Sequence, residues 1–265
     1  SDDARDLEVW PWPIKIYTLG RLSIFSNEES PVISGKAQGR PLELLQALIA
    51  LGGRGVSEES LSELLWPNAE GDAAHRAFDT TLHRLRRLLG SERTLLLSDG
   101  KLSLNPTVCW VDVWTFERLL GRLDDLIKLS ISTGVESTQA IARLAARVSA
   151  HYRGPFLGGE TNAAWAIAPR ERLLSKFLCQ LGTLGRYWES AGEWGRAAET
   201  YQKAIDVSHL TEEYYQRLML VYRTLGHHSE ALSVYQRCRE TLFASLGRPP
   251  SPGIEALHRE LETAR

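Results

Sequence analysis

The chain of 265 residues lacks most features of a secreted, membrane-bound or catalytic protein. It has only three cysteines, Cys109, Cys179 and Cys238, odd in number and far apart. That argues against a disulfide framework and fits a reducing, cytoplasmic compartment. No apolar run approaches the roughly 20 residues of a membrane span, and the first residues do not read as a signal peptide. Neither sign of charge dominates: 31 Lys and Arg stand against 33 Asp and Glu, a net charge of −2. A globally basic DNA-coating protein is thereby excluded. No Gly-rich phosphate loop is readable, and the seven His and three Cys lack metal-ligand spacing. The expectation is a protein that is not an enzyme, with no cofactor and no metal.

What is present suits about two domains, with 43% hydrophobic residues to build real cores. The most informative stretch is DAAHRAFDTTLHRLRRLLG, residues 72–90. At 100° per residue Phe78, Leu82, Leu85 and Leu89 share one face. Arg76, Thr80, His83 and Arg87 share nearly the opposite face, with Arg84 and Arg86 on its shoulders. Asp72 suits the positive helix end as a cap, and Gly90 is a stop signal. One mid-helix acid, Asp79, faces four arginines. Such a face is either a solvated surface or a recognition helix for the DNA major groove.

The flanking elements decide between the two. Residues 14–25 alternate apolar and polar and read as strands turning at Gly20. Residues 31–34 read as a further short strand. Pro41 opens a helix with Leu42, Leu45, Ala47, Leu48 and Leu51 as its buried stripe, ended by Gly52 and Gly53. Ser57 caps a second helix that closes at Trp66-Pro67. After residues 72–90 come two apolar runs joined by Ser98-Asp99-Gly100-Lys101, a strong hairpin signal. Strands, three helices and a hairpin make a winged helix–turn–helix, in which the third helix enters the major groove. The hairpin is the wing, with Lys101 at its tip. Between Ile14 and Leu104 eleven basic residues balance eleven acidic ones, and four of those bases lie in the one helix. With four or five phosphate contacts one copy binds weakly, so specific binding calls for two copies on repeated half-sites. Ser57 and Arg40 are further phosphate candidates.

The pattern Arg76-x-x-Asp79 with Arg84-Leu85-Arg86-Arg87 resembles the recognition helix of OmpR/PhoB-type winged helices. So do the strands at 14–25, the Leu65-Trp66-Pro67 step and the hairpin. The likeness is greatest to the Streptomyces antibiotic regulatory protein (SARP) group. There this domain precedes a bacterial transcriptional activator domain. The resemblance implies groove contacts at Arg76, Thr80, Thr81, His83, Arg84 and Arg87. It also implies that the loop before the third helix, here with Asn68, Glu70 and Asp72, meets RNA polymerase at the sigma factor. The wing departs from the usual Gly-rich aromatic form. His83 stands where relatives carry a base or Ser.

Residues 111–265 read as helices, beginning with one that Asp112 starts, and show no convincing strand. Gly192 and Gly226, Ala197 and Ala231, Tyr201 and Tyr235, Leu184 and Leu218, and Trp188 and Tyr222 are each 34 residues apart. That period, with small residues where helices meet, belongs to tetratricopeptide repeats. Helix pairs are expected at 178–191 with 193–207 and at 212–225 with 228–246. A last helix at 253–264 caps the stack. Residues 130–137 read as a polar gap and 152–159 as a turn-rich connector. Val111-Asp112-x-Trp114-x-Phe116-Glu117, the segment 152–157, Ala231-Leu232-x-x-Tyr235-x-x-Cys238-Arg239 and the segment 246–252 again resemble the bacterial transcriptional activator domain.

The expected organisation is a linker or tag-derived lead at 1–13, a winged helix at 14–110 and a tetratricopeptide-like domain at 111–265. The fold class is mainly α with a small β part. The function read from it is a DNA-binding transcription regulator, an activator that pairs on promoter repeats. Its partners are double-stranded DNA and RNA polymerase, in a bacterial cytoplasm. The rival readings are a tetratricopeptide interaction scaffold and the output segment of a larger ATP-binding regulator. Trp10, Trp12, Trp165, Trp188 and Trp194 read as packing anchors. His227-His228 reads as a solvated turn.

Overall fold

Alternation over IKIY puts Ile14 and Ile16 in the core and leaves Lys15 and Tyr17 half-exposed, which makes β1 (Ile14–Tyr17). The computed structural model describes residues 11–26, 39–69, 71–134, 137–159, 161 and 163–263. β1 pairs antiparallel with β2 (Ser23–Ser26), Ile14 opposite Ser26. The strand expected at 31–34 lies outside the described residues.

α1 (Gly39–Ala50) holds Pro41 in its first turn, where a missing N–H is harmless. Leu44, Ile49 and Ala50 are buried as well as Leu42, Leu45, Ala47 and Leu48, so nearly the whole circumference is covered. Leu51 is 43% exposed, against expectation, because the helix has already ended. β3 (Val56–Ser57) leads into α2 (Glu58–Leu65), and the Ser57 hydroxyl caps it by accepting from the Ser60 N–H at 3.1 Å. α3 (Gly71–Leu88) packs on α1 and α2. β4 (Leu95–Ser98) and β5 (Lys101–Leu104) form the hairpin, and β3 pairs with β5 in a second small sheet. Asp99 and Gly100 both have positive φ, 52° and 69°, the two-residue turn that a tight hairpin selects.

β6 (Cys109–Val111) pairs parallel with β1 and was not legible as a strand. It runs straight into α4 (Asp112–Thr133), so strand and helix meet at residue 111. The Asp112 carboxylate is buried at that junction. It accepts from the Thr18 N–H (2.8 Å), the Thr18 hydroxyl (2.7 Å), the Leu19 N–H (2.8 Å) and the Val113 N–H (2.8 Å). Burial pushes its pKa up, opposed by those four donors.

α4 runs to Thr133, well into the expected polar gap. α5 (Thr138–His151) follows, and then α6 (Ala164–Ser190), longer than expected because its first turns accommodate Pro169. The chain divides into two compact units. One holds the described residues up to Leu119 with Ala146–Leu173. The other holds Leu120–Ala145 with the described residues from Leu174 onward. The division cuts α4, α5 and α6 rather than falling at residue 110.

The second unit contains α7 (Trp194–Val207), α8 (Glu212–Thr224), α9 (His228–Leu246) and α10 (Pro252–Thr263). α8 packs on both α7 and α9, and α10 covers α8 and α9. The period of 34 has a physical form. Gly192 and Gly226 take φ of +71° and +75°, ending their helices in left-handed turns. The next residue closes each turn alike: the Glu193 N–H donates to the Trp188 carbonyl (2.9 Å) and the His227 N–H to the Tyr222 carbonyl (2.8 Å). Ala197 and Ala231 are wholly buried, so neighbouring helices come close. At Gly185 the approach is closer still: a Cβ there would lie 2.5 Å from the Tyr201 ring.

Candidate nucleic-acid interface

α3 sorts its residues by face. Phe78, Leu82, Leu85 and Leu89 are buried, while Arg76, Asp79, Thr80, His83, Arg84 and Arg87 are exposed. Arg76, Arg84 and Arg87 have no carboxylate partner among the described residues. The Thr80 hydroxyl donates to the Arg76 carbonyl at 2.8 Å within the helix.

Thr81, an implied groove contact, and Arg86, expected on the shoulder of the DNA-binding face, do not join this face. Thr81 is only 6% exposed, and its hydroxyl donates to the Ala77 carbonyl at 2.7 Å. Its position beside Phe78 and Leu85 on the helix makes it a core-side residue. Arg86 is half-buried. Its guanidinium donates to the Leu95 carbonyl at 3.1 Å and lies 3.4 Å from Glu92, so it ties α3 to the first wing strand.

The wing joins the second helix as well. Ser57 lies opposite Lys101 in the β3–β5 register, and the Glu58 N–H donates to the Gly100 carbonyl at 2.8 Å. Lys101 is exposed at the hairpin tip without a carboxylate partner among the described residues. Ser57 is occupied as the α2 cap. Arg40, in the first turn of α1, holds Glu43 at 2.8 Å and is already neutralised.

Of the loop residues, Asn68 and Asp72 are exposed, and Glu70 lies outside the described residues. α3 begins at Gly71, so Asp72 sits in its first turn rather than at the cap. Beside this loop is a cavity of about 720 Å³ lined by Glu58, Glu59, Glu63, Trp66, Pro67 and His75, among others. Its acidic character was not read from the sequence, although the run of Glu at 58, 59 and 63 on one short helix signals it. His75 bridges two of the helices, bonding to Glu58 on α2 and lying 3.3 Å from Asp79 on its own helix. The hydrogen bond and charge of Glu58, then the charge of Asp79, raise the His75 pKa.

Among the described residues no group of three or more His, Cys, Asp or Glu could hold a metal ion. No described helix is long and apolar enough to cross a membrane.

The sequence family described as bacterial transcriptional activator domain matches residues 111–262. No curated protein matches the chain. Among solved structures, Mycobacterium tuberculosis EmbR, in complex with a low-affinity phosphopeptide, is similar at 20% identity and a TM-score of 0.67. The match covers 96% of this chain and 66% of EmbR, just under two thirds, and it shows a common fold. A thermophilic tetratricopeptide-repeat protein of Thermus thermophilus matches at 17% identity, covering 86% of this chain and 100% of its own, with a TM-score of 0.29. That score is too low to bear on the fold.

Proposed function

Since the chain belongs to the bacterial transcriptional activator domain family, we propose that its winged helix binds promoter DNA through the outer face of α3 and the tip of the β4–β5 wing. A winged helix ahead of this domain is the arrangement of SARP-type transcription regulators. One observation carries the DNA reading: Arg76, Arg84 and Arg87 stand exposed on one helix face without carboxylate partners among the described residues. Arg84, Arg87 and Arg76 make the decisive major-groove contacts, with Thr80 and His83 between them. A bidentate arginine–guanine pair discriminates by about 1–3 kcal/mol. Lys101 serves backbone phosphate from the wing.

Activation follows from the loop that holds Asn68, Glu70 and Asp72. It borders the acidic cavity of Glu58, Glu59 and Glu63, a surface suited to a basic patch on RNA polymerase. Two copies on repeated half-sites supply the affinity that one neutral domain lacks. The repeat unit steadies the pair.

The test is the salt dependence of binding to duplex DNA. Four or five phosphate contacts give a log–log slope of about −4. A slope near zero contradicts the proposal. Glu70→Lys separates the two surfaces: transcription from a bound promoter is lost while DNA affinity holds. An equal fall in both overturns the polymerase contact.

A further inference from the structure

The turn between α1 and β3, residues 51–55, joins elements that lie far apart in the chain. It begins as the end of α1: the Gly52 N–H donates to the Ile49 carbonyl at 2.9 Å and the Gly53 N–H to the Leu48 carbonyl at 2.8 Å. Its other side carries the wing. The Leu104 N–H donates to the Gly53 carbonyl at 2.9 Å, and the Gly55 N–H donates to the Ser103 hydroxyl at 2.8 Å. Both partners lie on β5, whose first residue is Lys101. The second wing strand is therefore hung on this turn as well as paired with β3.

One side chain grips the turn from α4. The Trp114 indole N–H donates to the Gly52 carbonyl at 3.2 Å. Its ring lies so close to Gly53 that a Cβ there would be 2.6 Å from it, and Gly53 has a φ of +74°. Only glycine fits that position. The Arg54 guanidinium lies over the same ring, 4.9 Å from its centre. Three successive residues of the turn are thus held by one half-buried indole. Trp114 is in the first turn of α4, inside the segment that matches the activator domain family.

We infer that Trp114 is a positioning residue for the wing. It fixes the turn at Gly52, Gly53 and Arg54, the turn fixes β5, and β5 presents Lys101 to the DNA backbone. The inference rests on the proposed DNA reading. It adds that a residue of the activator domain sets how the winged helix meets DNA. Trp114 itself touches no DNA and acts through β5 and Lys101.

The experiment is a double-mutant cycle on duplex DNA binding, with amide hydrogen exchange of the free chain beside it. Lys101→Ala is expected to weaken binding about fivefold and to make the log–log salt slope shallower by about one. Trp114→Ala should do the same, and the double variant should bind no more weakly than Lys101→Ala. A packing loss unconnected with the wing would instead leave the slope at its wild-type value and add to the loss from Lys101→Ala. The Leu104 and Gly55 amide protons should exchange about tenfold faster in Trp114→Ala, while those of α3 hold. Trp114→Phe keeps a ring against Gly53 without the N–H, so its effects should be smaller and of the same sign. It carries the test if Trp114→Ala does not fold. An unchanged slope, additive losses in the double variant, or unchanged exchange would each overturn the inference and leave the DNA reading of α3 in place. A wild-type slope near zero would overturn both.

Discussion

Arginine does two different jobs on the repeat helices and on the outer face of α3. Along the repeat helices most arginines are paired with carboxylates. Arg186 meets Glu213 (3.4 Å), Arg196 meets Glu193 (3.7 Å) and Arg217 meets Glu189 (3.5 Å). Arg223 meets Glu260 (2.8 Å), Arg237 meets Asp206 (3.0 Å) and Arg248 meets Glu212 (2.7 Å). On the outer face of α3, Arg76, Arg84 and Arg87 have no such partner among the described residues. A helix that needs its cations for stability supplies the acids for them. One that leaves three unpaired on a single face keeps them available to an anion outside the chain. The contrast also holds within α3: Arg86, turned toward the wing, is the one committed to internal contacts with Leu95 and Glu92.

The most damaging way to break the contrast is to give α3 a carboxylate. Thr80→Glu puts an acid four residues from both Arg76 and Arg84, on the exposed face. The helix should gain about 0.2–0.5 kcal/mol per pair. DNA affinity should fall about a hundredfold, since the acid would also face phosphate. Fluorescence anisotropy with duplex DNA beside a thermal melt reads both effects. Unchanged affinity would mean that the face is only solvated.

A packing change tests the other side. Gly185→Ala forces a Cβ into the Tyr201 ring and should cost about 1–3 kcal/mol of stability, read by thermal or chemical unfolding. Unaltered stability would show that α6 and α7 are not tightly joined there. Smaller still is Arg223→Ala. It removes an exposed pair with Glu260 and should cost no more than about 1 kcal/mol, with DNA affinity unchanged. A loss of DNA binding in that variant would erase the distinction between the two sets of arginines.

The smallest effect is a titration. His75 has its pKa raised by Glu58 first and then Asp79, above an ordinary value of 6.5. The folded state favours the charged imidazole, so the tie between α2 and α3 is fully present below 6.5. It is lost as pH rises through the raised value. NMR titration of His75 should show a midpoint above 6.5, which falls in Glu58→Gln with Asp79→Asn. A wild-type midpoint at or below 6.5 would dissolve the tie.

Much of this was legible because the controlling interactions are local. Helix periodicity put Arg76, Thr80, His83, Arg84 and Arg87 outside, and the Asp99-Gly100 turn placed the wing. The 34-residue offset located the helix pairs, since each repeat closes its turn with the same left-handed glycine. What escaped depends on distant partners. β6 is three fully buried residues with no alternation to read, and only its parallel pairing with β1 makes it a strand. Nothing near Asp112 announces that Thr18 and Leu19 will donate to it. Thr81 misleads because it is polar, yet it lies beside the apolar stripe and satisfies its hydroxyl on its own helix. Arg86 misleads because its acceptor is a backbone carbonyl, which no residue type signals. Pro169 disguises the first turns of α6, since proline usually ends a helix.

The most direct measurement is unbiased selection of genomic DNA fragments by the purified chain near physiological salt, beside an Arg84→Ala/Arg87→Ala double variant with the same melting temperature. The account predicts that the wild type enriches a repeated motif whose spacing reports how two copies pair, and that the variant enriches nothing. Equal enrichment by both proteins would contradict the assignment of α3 as the reading helix, and no enrichment by either would favour a protein-binding scaffold.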